Sequence, residues 1–236
     1  MSRFAPLFSL AALLAAALIA AALIAPAPAV AQEVVRSPYR FVDEGQSLGP
    51  FAGYVFTNTG QSELGPESGP VAGVRYAIRI NGPLTLEGQA SYFPTTRAVW
   101  RADTTGADTV LTHVATADLQ VLALDGGLRF NITGPRTFHN LMPYLIVSGG
   151  AALDLTGETE QDRELPQDDR FKFGTTFAGQ IGGGIEWFAG RRLTFRVDAR
   201  NLLWELDTPR AFLHGNVPRQ EWVQNFLLSA GVSLHF

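Results

Sequence analysis

Cysteine is absent from the 236-residue chain, and charged residues make up only 17% of it. The missing thiols exclude a disulfide framework, thiolate metal sites and a cysteine nucleophile. Ordinary soluble domains carry about 25% charged residues, so this chain is poor in the groups that face water. The net charge is −4 and the sequence contains no basic run, which argues against nucleic acid as a partner.

A long hydrophobic run occurs at the start of the chain. Arg3 supplies a positive charge, LAALLAAALIAAALIA follows, and Ala29-Val30-Ala31 has the small-x-small pattern of a cleavage site. The sequence therefore predicts a signal peptide over residues 1–31, export of the protein, and Gln32 as the mature N-terminus. An uncleaved membrane anchor is the alternative, but the two prolines before the cleavage site break a helix and favour cleavage.

After the signal peptide no sustained 3.6-residue apolar period is present, and apolar residues instead alternate with polar ones. A membrane-spanning strand tilted in a bilayer needs about 9–11 residues, which the alternating segments match or exceed. Eight such segments can be read, at 50–58, 71–80, 84–93, 117–132, 142–155, 173–188, 193–204 and 222–236.

The connections between these segments alternate in length. Those at 81–83 and 189–192 are tight turns and the one at 132–141 is somewhat longer, whereas the four that start near residues 59, 94, 156 and 205 are longer still and polar. Short turns on one rim and long loops on the other are typical of outer-membrane barrels. The pattern predicts an all-β fold: an eight-stranded antiparallel up-and-down transmembrane β-barrel over residues 48–236, after an N-terminal periplasmic segment at 32–47.

Charge decides which face of each strand points inward. In the seventh segment Arg196, Asp198 and Arg200 share one face, and an arginine facing lipid near the midplane costs about 2–4 kcal/mol. The charged face is therefore predicted to line the lumen, the opposite of a soluble β-barrel, which remains the alternative. The predicted lumen charge network is Arg75, Arg79, Glu87, Asp125, Arg129, Glu186, Arg196, Asp198 and Arg200.

In the fourth segment, polar and apolar residues do not stay on opposite faces of the strand, so one alternation phase does not describe it. Asp118 and Gln120 have the same parity as Leu124, Leu128 and Phe130. A β-bulge near residues 121–123 would restore the pattern, and a later start of the strand is the alternative.

Aromatic residues cluster near segment ends, where tyrosine and tryptophan suit the level of the lipid headgroups. The predicted aromatic girdle consists of Tyr92, Phe130, Phe173, Trp187, Trp204 and Trp222.

PYLIVSGGAAL (143–153), FAGQIGGGIEWF (177–188) and the aromatic C-terminus resemble small outer-membrane β-barrel proteins, the OmpA-like transmembrane-domain group. The resemblance covers about residues 48–236 and implies a monomer in contact with outer-membrane lipid and lipopolysaccharide. It also implies a C-terminal assembly signal read by the barrel-assembly machinery. The residues that correspond to this signal are Phe226, Leu228, Val232, Leu234 and Phe236.

The function predicted from these features is that of an outer-membrane barrel whose lumen is plugged by salt bridges, with a structural or surface-interaction role through its extracellular loops. A narrow gated channel for small solutes is the main alternative, and a lipid-modifying barrel enzyme comes third. Ser233 and His235 share one lumen face, but the sequence shows no carboxylate beside them, and His113 falls in a predicted loop. We expect no enzyme activity, no cofactor and no metal, and we expect the acidic loop at 156–170 to be solvated.

Overall fold

Ten β-strands make up most of the structure, a computed structural model that describes residues 37–105, 108–213 and 217–236. The predicted signal peptide lies outside the described residues and stays a prediction. No helix in the described ranges is long and apolar enough to cross a membrane. The strands are β1 (Tyr39–Phe41), β2 (Gln46–Phe56), β3 (Gly69–Asn81), β4 (Leu84–Thr105), β5 (Asp108–Asn131), β6 (Arg136–Phe138), β7 (Leu141–Asp154), β8 (Thr175–Phe188), β9 (Leu193–Asp207) and β10 (Gln220–His235).

Eight of these strands close into an antiparallel barrel. Each pairs with the next along the chain, in the order β2-β3-β4-β5-β7-β8-β9-β10, and β10 pairs back onto β2. All eight predicted segments are barrel strands, so the predicted fold class is confirmed. β2 begins at Gln46, two residues inside the predicted N-terminal segment of 32–47.

The two ends of the barrel differ in their connections. At one end, the short-turn end, the strands are joined by residues 82–83, 132–140 and 189–192. At the other, the long-loop end, the connections include residues 57–68 and the segment 155–174, which holds helix α1 (Glu160–Arg163) and a 3-10 turn (Gln167–Asp169). A second 3-10 turn (Arg210–Phe212) lies between β9 and β10.

The prediction of a long loop starting near residue 94 is wrong, because this part of the chain is strand. β4 and β5 continue as a paired hairpin through Thr105↔Asp108, well beyond their neighbours in the barrel. The extension is rich in threonine, with three valines and Trp100, and these residue types favour strands even where other polar residues interrupt them. His113 therefore lies opposite Trp100 in this hairpin rather than in a loop.

A single phase holds along β5 from Ala115 to Asn131. Pairing with β7 is continuous from Val121 to Asn131, and the register shift in β4–β5 falls beside Val99 and Trp100, so the bulge predicted at 121–123 is wrong. Asp118 and Gln120 face outward like Leu124 and are exposed. They can do so because they lie on the long-loop side of the apolar band.

Burial alternates along the barrel strands because successive side chains point to opposite sides of a strand. In β10, Phe226 and Leu228 are each 47% exposed, whereas Leu227 and Ser229 are 2% exposed. The outward positions are mainly apolar, and near the middle of the barrel the inward positions carry the charged side chains. This distribution is the reverse of that in a soluble barrel.

Candidate functional site

The centre of the lumen is built around Glu87 of β4. Arg196 donates to both oxygens of its carboxylate, Nη1 to Oε2 at 2.6 Å and Nη2 to Oε1 at 3.1 Å. Arg200 Nη2 donates to Oε1 at 2.9 Å. Arg129 Nη1 lies 3.7 Å from Oε2. One carboxylate thus faces three arginines from β5 and β9.

Asp198 is the second carboxylate of the centre. Its Oδ2 accepts from Arg75 Nη1 at 2.9 Å, and its Oδ1 accepts from Arg200 Nε at 2.7 Å. Arg75 also donates to Gln89 and Ser229, at 2.6 and 2.8 Å, and its guanidinium lies over the ring of the buried Phe51. The arginines and carboxylates of β3, β4 and β9 therefore form one connected, buried network.

The remaining predicted lumen charges lie around this network. Gln180 Nε2 donates to Asp125 Oδ2 at 2.9 Å, and Arg129 Nη1 lies 3.4 Å from Glu186 Oε2. Arg79 is set apart, since it donates to the backbone oxygen of Val42. All nine predicted charges thus point into the barrel, and Arg79 and Asp125 are the two that form no ion pair within 4.0 Å among the described residues.

Glycines opposite the arginines supply the space for this network. A Cβ on Gly182 would lie 2.7 Å from Arg200 Cα, and one on Gly184 would lie 2.5 Å from the hydroxyl of Tyr144. That hydroxyl accepts from Arg196 Nε at 2.5 Å. The glycine run in β8 is therefore explained by close packing rather than by phosphate binding.

An apolar core fills the lumen at the long-loop end, and sequence reasoning missed it. The inward side chains of the strands meet apolar residues that the loops fold inward. The loop residues were the available signal, because each is a large apolar side chain in a polar segment. The core comprises Val55, Leu64, Val71, Phe93, Leu119, Val121, Ala152, Phe171, Phe173, Ala178, Leu202, Trp204, Leu206, Phe212, Val223 and Leu227.

Two predicted girdle residues belong to this core. Phe173 and Trp204 are 7% and 2% exposed, and their rings pack edge to face at 5.7 Å. Their assignment to the girdle is wrong, because Trp204 has the inward parity of Arg200 and the core shields it from lipid. The other predicted girdle residues, Tyr92, Phe130, Trp187 and Trp222, are exposed on the outer face.

The outward aromatics extend beyond the predicted set. Tyr54, Phe56 and Phe226 form a chain of ring contacts near the long-loop end, and Phe177 contacts Trp222. The predicted assembly-signal residues all lie on the outward face of β10 or directly after it: Phe226, Leu228, Val232, Leu234 and Phe236.

A third layer closes the short-turn end. β1 pairs with β6, and Val42 forms a small buried cluster with Met142 and Phe188. Arg40 Nη2 donates to the backbone oxygen of Gly190 at 2.9 Å. Residues 38–45 therefore lie across this end of the barrel as a cap.

Near this cap a carboxylate does approach the lumen-facing histidine, which corrects the sequence-based expectation. Glu186 Oε1 lies 3.8 Å from His235 Nε2, and Thr194 Oγ1 lies 3.0 Å from the same nitrogen. A nucleophile–histidine–acid triad needs the hydroxyl and the acid on different ring nitrogens. In this arrangement both partners meet Nε2, so the geometry does not match a triad.

The acidic loop is not uniformly solvated, because Asp162 and Asp169 are buried. Arg97 Nη2 donates to both carboxylate oxygens of Asp162 at 2.6 and 2.5 Å, and Thr159 and Asp162 cap α1 reciprocally. Burial raises the pKa of Asp162, but the hydrogen bonds from Arg97 and Thr159 outweigh it, and the pKa lies below its ordinary value. This ion pair holds the 155–174 loop against the β4–β5 hairpin.

Asp162→Asn should release this loop at neutral pH. A carboxyl whose pKa is lowered on folding stabilises only while it is ionised, so the contact is present at neutral pH and is lost as pH falls through the folded-state pKa. Trypsin should then cut after the exposed Lys172 about tenfold faster or more, equivalent to ~1.4 kcal/mol of lost protection. Asp168→Asn, an exposed position in the same loop, should not change the rate. Equal rates for both variants would contradict the role of the Arg97–Asp162 pair.

Comparisons with known proteins place the fold. No family model matches the sequence, and no curated protein matches it. The structure is similar to that of the outer membrane protein OprG from Pseudomonas aeruginosa, with 12% identity, a TM-score of 0.53, and coverage of 85% of this chain and 99% of that chain. Neisserial surface protein A (NspA) has 16% identity, a TM-score of 0.46, and coverage of 85% and 98%. AlkL has 18% identity, a TM-score of 0.46, and coverage of 90% and 96%. The likeness to OprG shows that the chain has the fold of a small eight-stranded outer-membrane β-barrel.

Proposed function

We propose that the chain is a bacterial outer-membrane β-barrel protein, exported through a cleaved signal peptide, with a closed lumen and a structural or surface-interaction role at its long-loop end. In such barrels short turns lie in the periplasm and long loops outside the cell. The observation that carries the proposal is that the interior is filled at three levels. The first is the cap of residues 38–45 at the short-turn end, called the Val42 cap. The second is the buried network of arginines around Glu87 and Asp198, called the Glu87–Asp198 network, and the third is the apolar core at the long-loop end.

The central network makes a permanently open pore unfavourable. An eight-stranded interior is only wide enough for side chains to fill it. Opening a path between β4 and β9 would separate Glu87 from Arg196 and Arg200. Breaking a buried pair costs about 3–5 kcal/mol, because each charge is left without its partner.

A narrow gated channel is the second candidate, and one contact favours it. Arg129 Nη1 lies 3.4 Å from Glu186 and 3.7 Å from Glu87, so this arginine stands between two carboxylates and could exchange one for the other. Liposome swelling separates the two functions. The purified barrel is reconstituted into the liposome membrane, and the swelling rate is measured in isotonic solutions of small sugars or amino acids. The closed barrel should give the swelling rate of empty liposomes, whereas faster swelling would establish the channel.

The proposed location has its own test. The purified mature chain should need detergent to stay in solution, and its gel migration should change on boiling, because a closed barrel resists the detergent at room temperature. Trypsin added to intact cells should cut the long-loop end and spare Arg191 and Arg192 in the turn between β8 and β9. A chain soluble without detergent would contradict the outer-membrane assignment.

The C-terminal residue is proposed to be read by the barrel-assembly machinery, while the outer face meets outer-membrane lipid and lipopolysaccharide. Phe236 is exposed at the short-turn end, and its backbone pairs with that of Gln46 where the barrel closes. Phe236→Asp should reduce the folded barrel in the membrane at least severalfold, measured as the heat-modifiable band, because a charge replaces an aromatic ring on the lipid face. Phe236→Tyr keeps the ring and should assemble normally. Normal assembly of the aspartate variant would contradict the proposed signal.

A further inference from the structure

A cleft of about 580 Å³ opens between the loops at the long-loop end, away from the lumen network. One wall is the 3-10 turn that contains Asp168, followed by Arg170. The other wall is made by the end of β9 with the residues that follow it, Asp207 and Arg210, and by the start of β10 with Arg219 just before it. Its volume lies in the usual range of ligand pockets, about 300–1,000 Å³.

The walls of this cleft are held in place before any ligand arrives. Phe171 and Phe212, one beside each wall, are buried in the apolar core and anchor the two loops. Arg170 Nε donates to the backbone oxygen of Leu165 at 3.1 Å, which fixes its guanidinium. Thr208 N donates to Arg219 O at 2.8 Å and joins the two strands at the top of the hairpin. A preformed site of this kind binds with little loss of conformational freedom.

The charges in the cleft are mostly unpaired. Arg170 lies 3.6 Å from Glu158, whereas Arg210 and Arg219 form no ion pair within 4.0 Å among the described residues. With Arg170 paired to Glu158, the charges left on the described lining are two arginines, Arg210 and Arg219, and two aspartates, Asp168 and Asp207. The described lining therefore offers two guanidinium groups that have no ion partner within 4.0 Å. Unpaired guanidinium groups bind carboxylates and phosphates through two parallel hydrogen bonds.

The aspartates and glutamines of the lining define the rest of the ligand. Their side-chain oxygens accept hydrogen bonds from hydroxyl groups, and the glutamine amides also donate. Among the residues that the structure describes, no aromatic side chain lines the cleft, so the described lining offers no ring for stacking on a nucleobase. A ligand that carries both hydroxyl groups and an anionic group can bind the aspartates and glutamines through its hydroxyls and the arginines through its anionic group.

We propose that the cleft between the 167–170 turn and the residues 207–210 and 219–220, where β9 ends and β10 begins, binds an acidic saccharide, with Arg210 and Arg219 holding its carboxylate or phosphate groups. This inference rests on the proposed function, because it places the cleft outside the cell. The saccharide has two possible sources, the phosphorylated core of lipopolysaccharide in the same membrane or a uronic-acid glycan from outside.

Calorimetric titration of the refolded mature chain in zwitterionic detergent tests the proposal. The probes are delipidated, phosphorylated lipopolysaccharide core oligosaccharide and hyaluronan tetrasaccharide, with chitotetraose as the neutral match. At least one acidic probe should bind saturably, more weakly as salt is added, and chitotetraose should not bind. The tighter acidic probe identifies the source.

Matched variants separate the cleft from general attraction to positive charge. Arg210→Gln with Arg219→Gln should weaken binding about tenfold or more, because charge-assisted hydrogen bonds are lost. Arg191→Gln with Arg192→Gln removes the same charge at the opposite end and should leave binding unchanged. The heat-modifiable band confirms that each variant is folded.

Two results would overturn the inference: neither acidic probe binds the folded wild type, or the Arg210/Arg219 variant binds as the wild type does. A barrel that is folded, embedded and closed yet binds neither probe would overturn only the saccharide site. A conducting barrel that binds them would overturn only the closed lumen.

Discussion

Glu87→Gln should lower the free energy of unfolding by about 3–5 kcal/mol, because three arginines would lose the anion they share. Glutamine has nearly the same shape, so the change removes the charge while leaving little cavity. Arg196 and Arg200 would be left with Asp198 alone, and its oxygens already accept from Arg75 and Arg200. The network would then carry an uncompensated buried positive charge.

Urea unfolding of the barrel in phosphatidylcholine liposomes, followed by tryptophan fluorescence, measures this loss. Glu164→Gln, an exposed glutamate just after α1, is the control and should change stability by less than about 0.5 kcal/mol. A solvent-exposed ion pair contributes no more than about 1 kcal/mol to the free energy of unfolding, so the loss for Glu87→Gln would be limited to that amount in a water-filled lumen. That result would show that water reaches the network and would contradict a closed lumen.

Trp204→Ala should cost about 3–5 kcal/mol, the range for removing a buried tryptophan or phenylalanine side chain. Trp204 packs against Phe173 in the core at the long-loop end, so its loss leaves a large cavity and frees the ring that the 155–174 loop contributes.

Trp222→Ala is the matched control on the outer face. Trp222 is 54% exposed and Trp204 is 2% exposed, although both lie in the long-loop half of neighbouring strands. In the same urea titration Trp222→Ala should therefore cost clearly less than Trp204→Ala. Equal costs would place Trp204 at the lipid surface, as the girdle assignment had it, and would contradict the apolar core.

Strand parity predicted most of the barrel, because an alternating pattern and the cost of charge in lipid fix both strand and face. The pairs inside the lumen could not be predicted in this way. Glu87 and Arg196 are 109 residues apart, and their contact depends on the shear that closure imposes rather than on either strand. Parity therefore predicts which side chains point inward but not which of them meet.

The errors have a common physical cause. Trp204 already had inward parity, but its position near a segment end favoured a girdle, and that position cannot distinguish a ring in lipid from a ring under a loop. The apolar loop residues Leu64, Phe171 and Phe212 showed no periodicity, because single side chains and not strand faces complete the core. The β4–β5 hairpin continues past the membrane, where polar outward residues such as Asp118 resemble a loop.

Ion conductance across planar lipid bilayers tests the closed lumen most directly. The purified, heat-modifiable barrel should insert without conducting steps at any moderate voltage, because the Val42 cap, the Glu87–Asp198 network and the apolar core each block the path. Steady, uniform, ion-sized steps from the wild-type barrel would contradict the closed lumen.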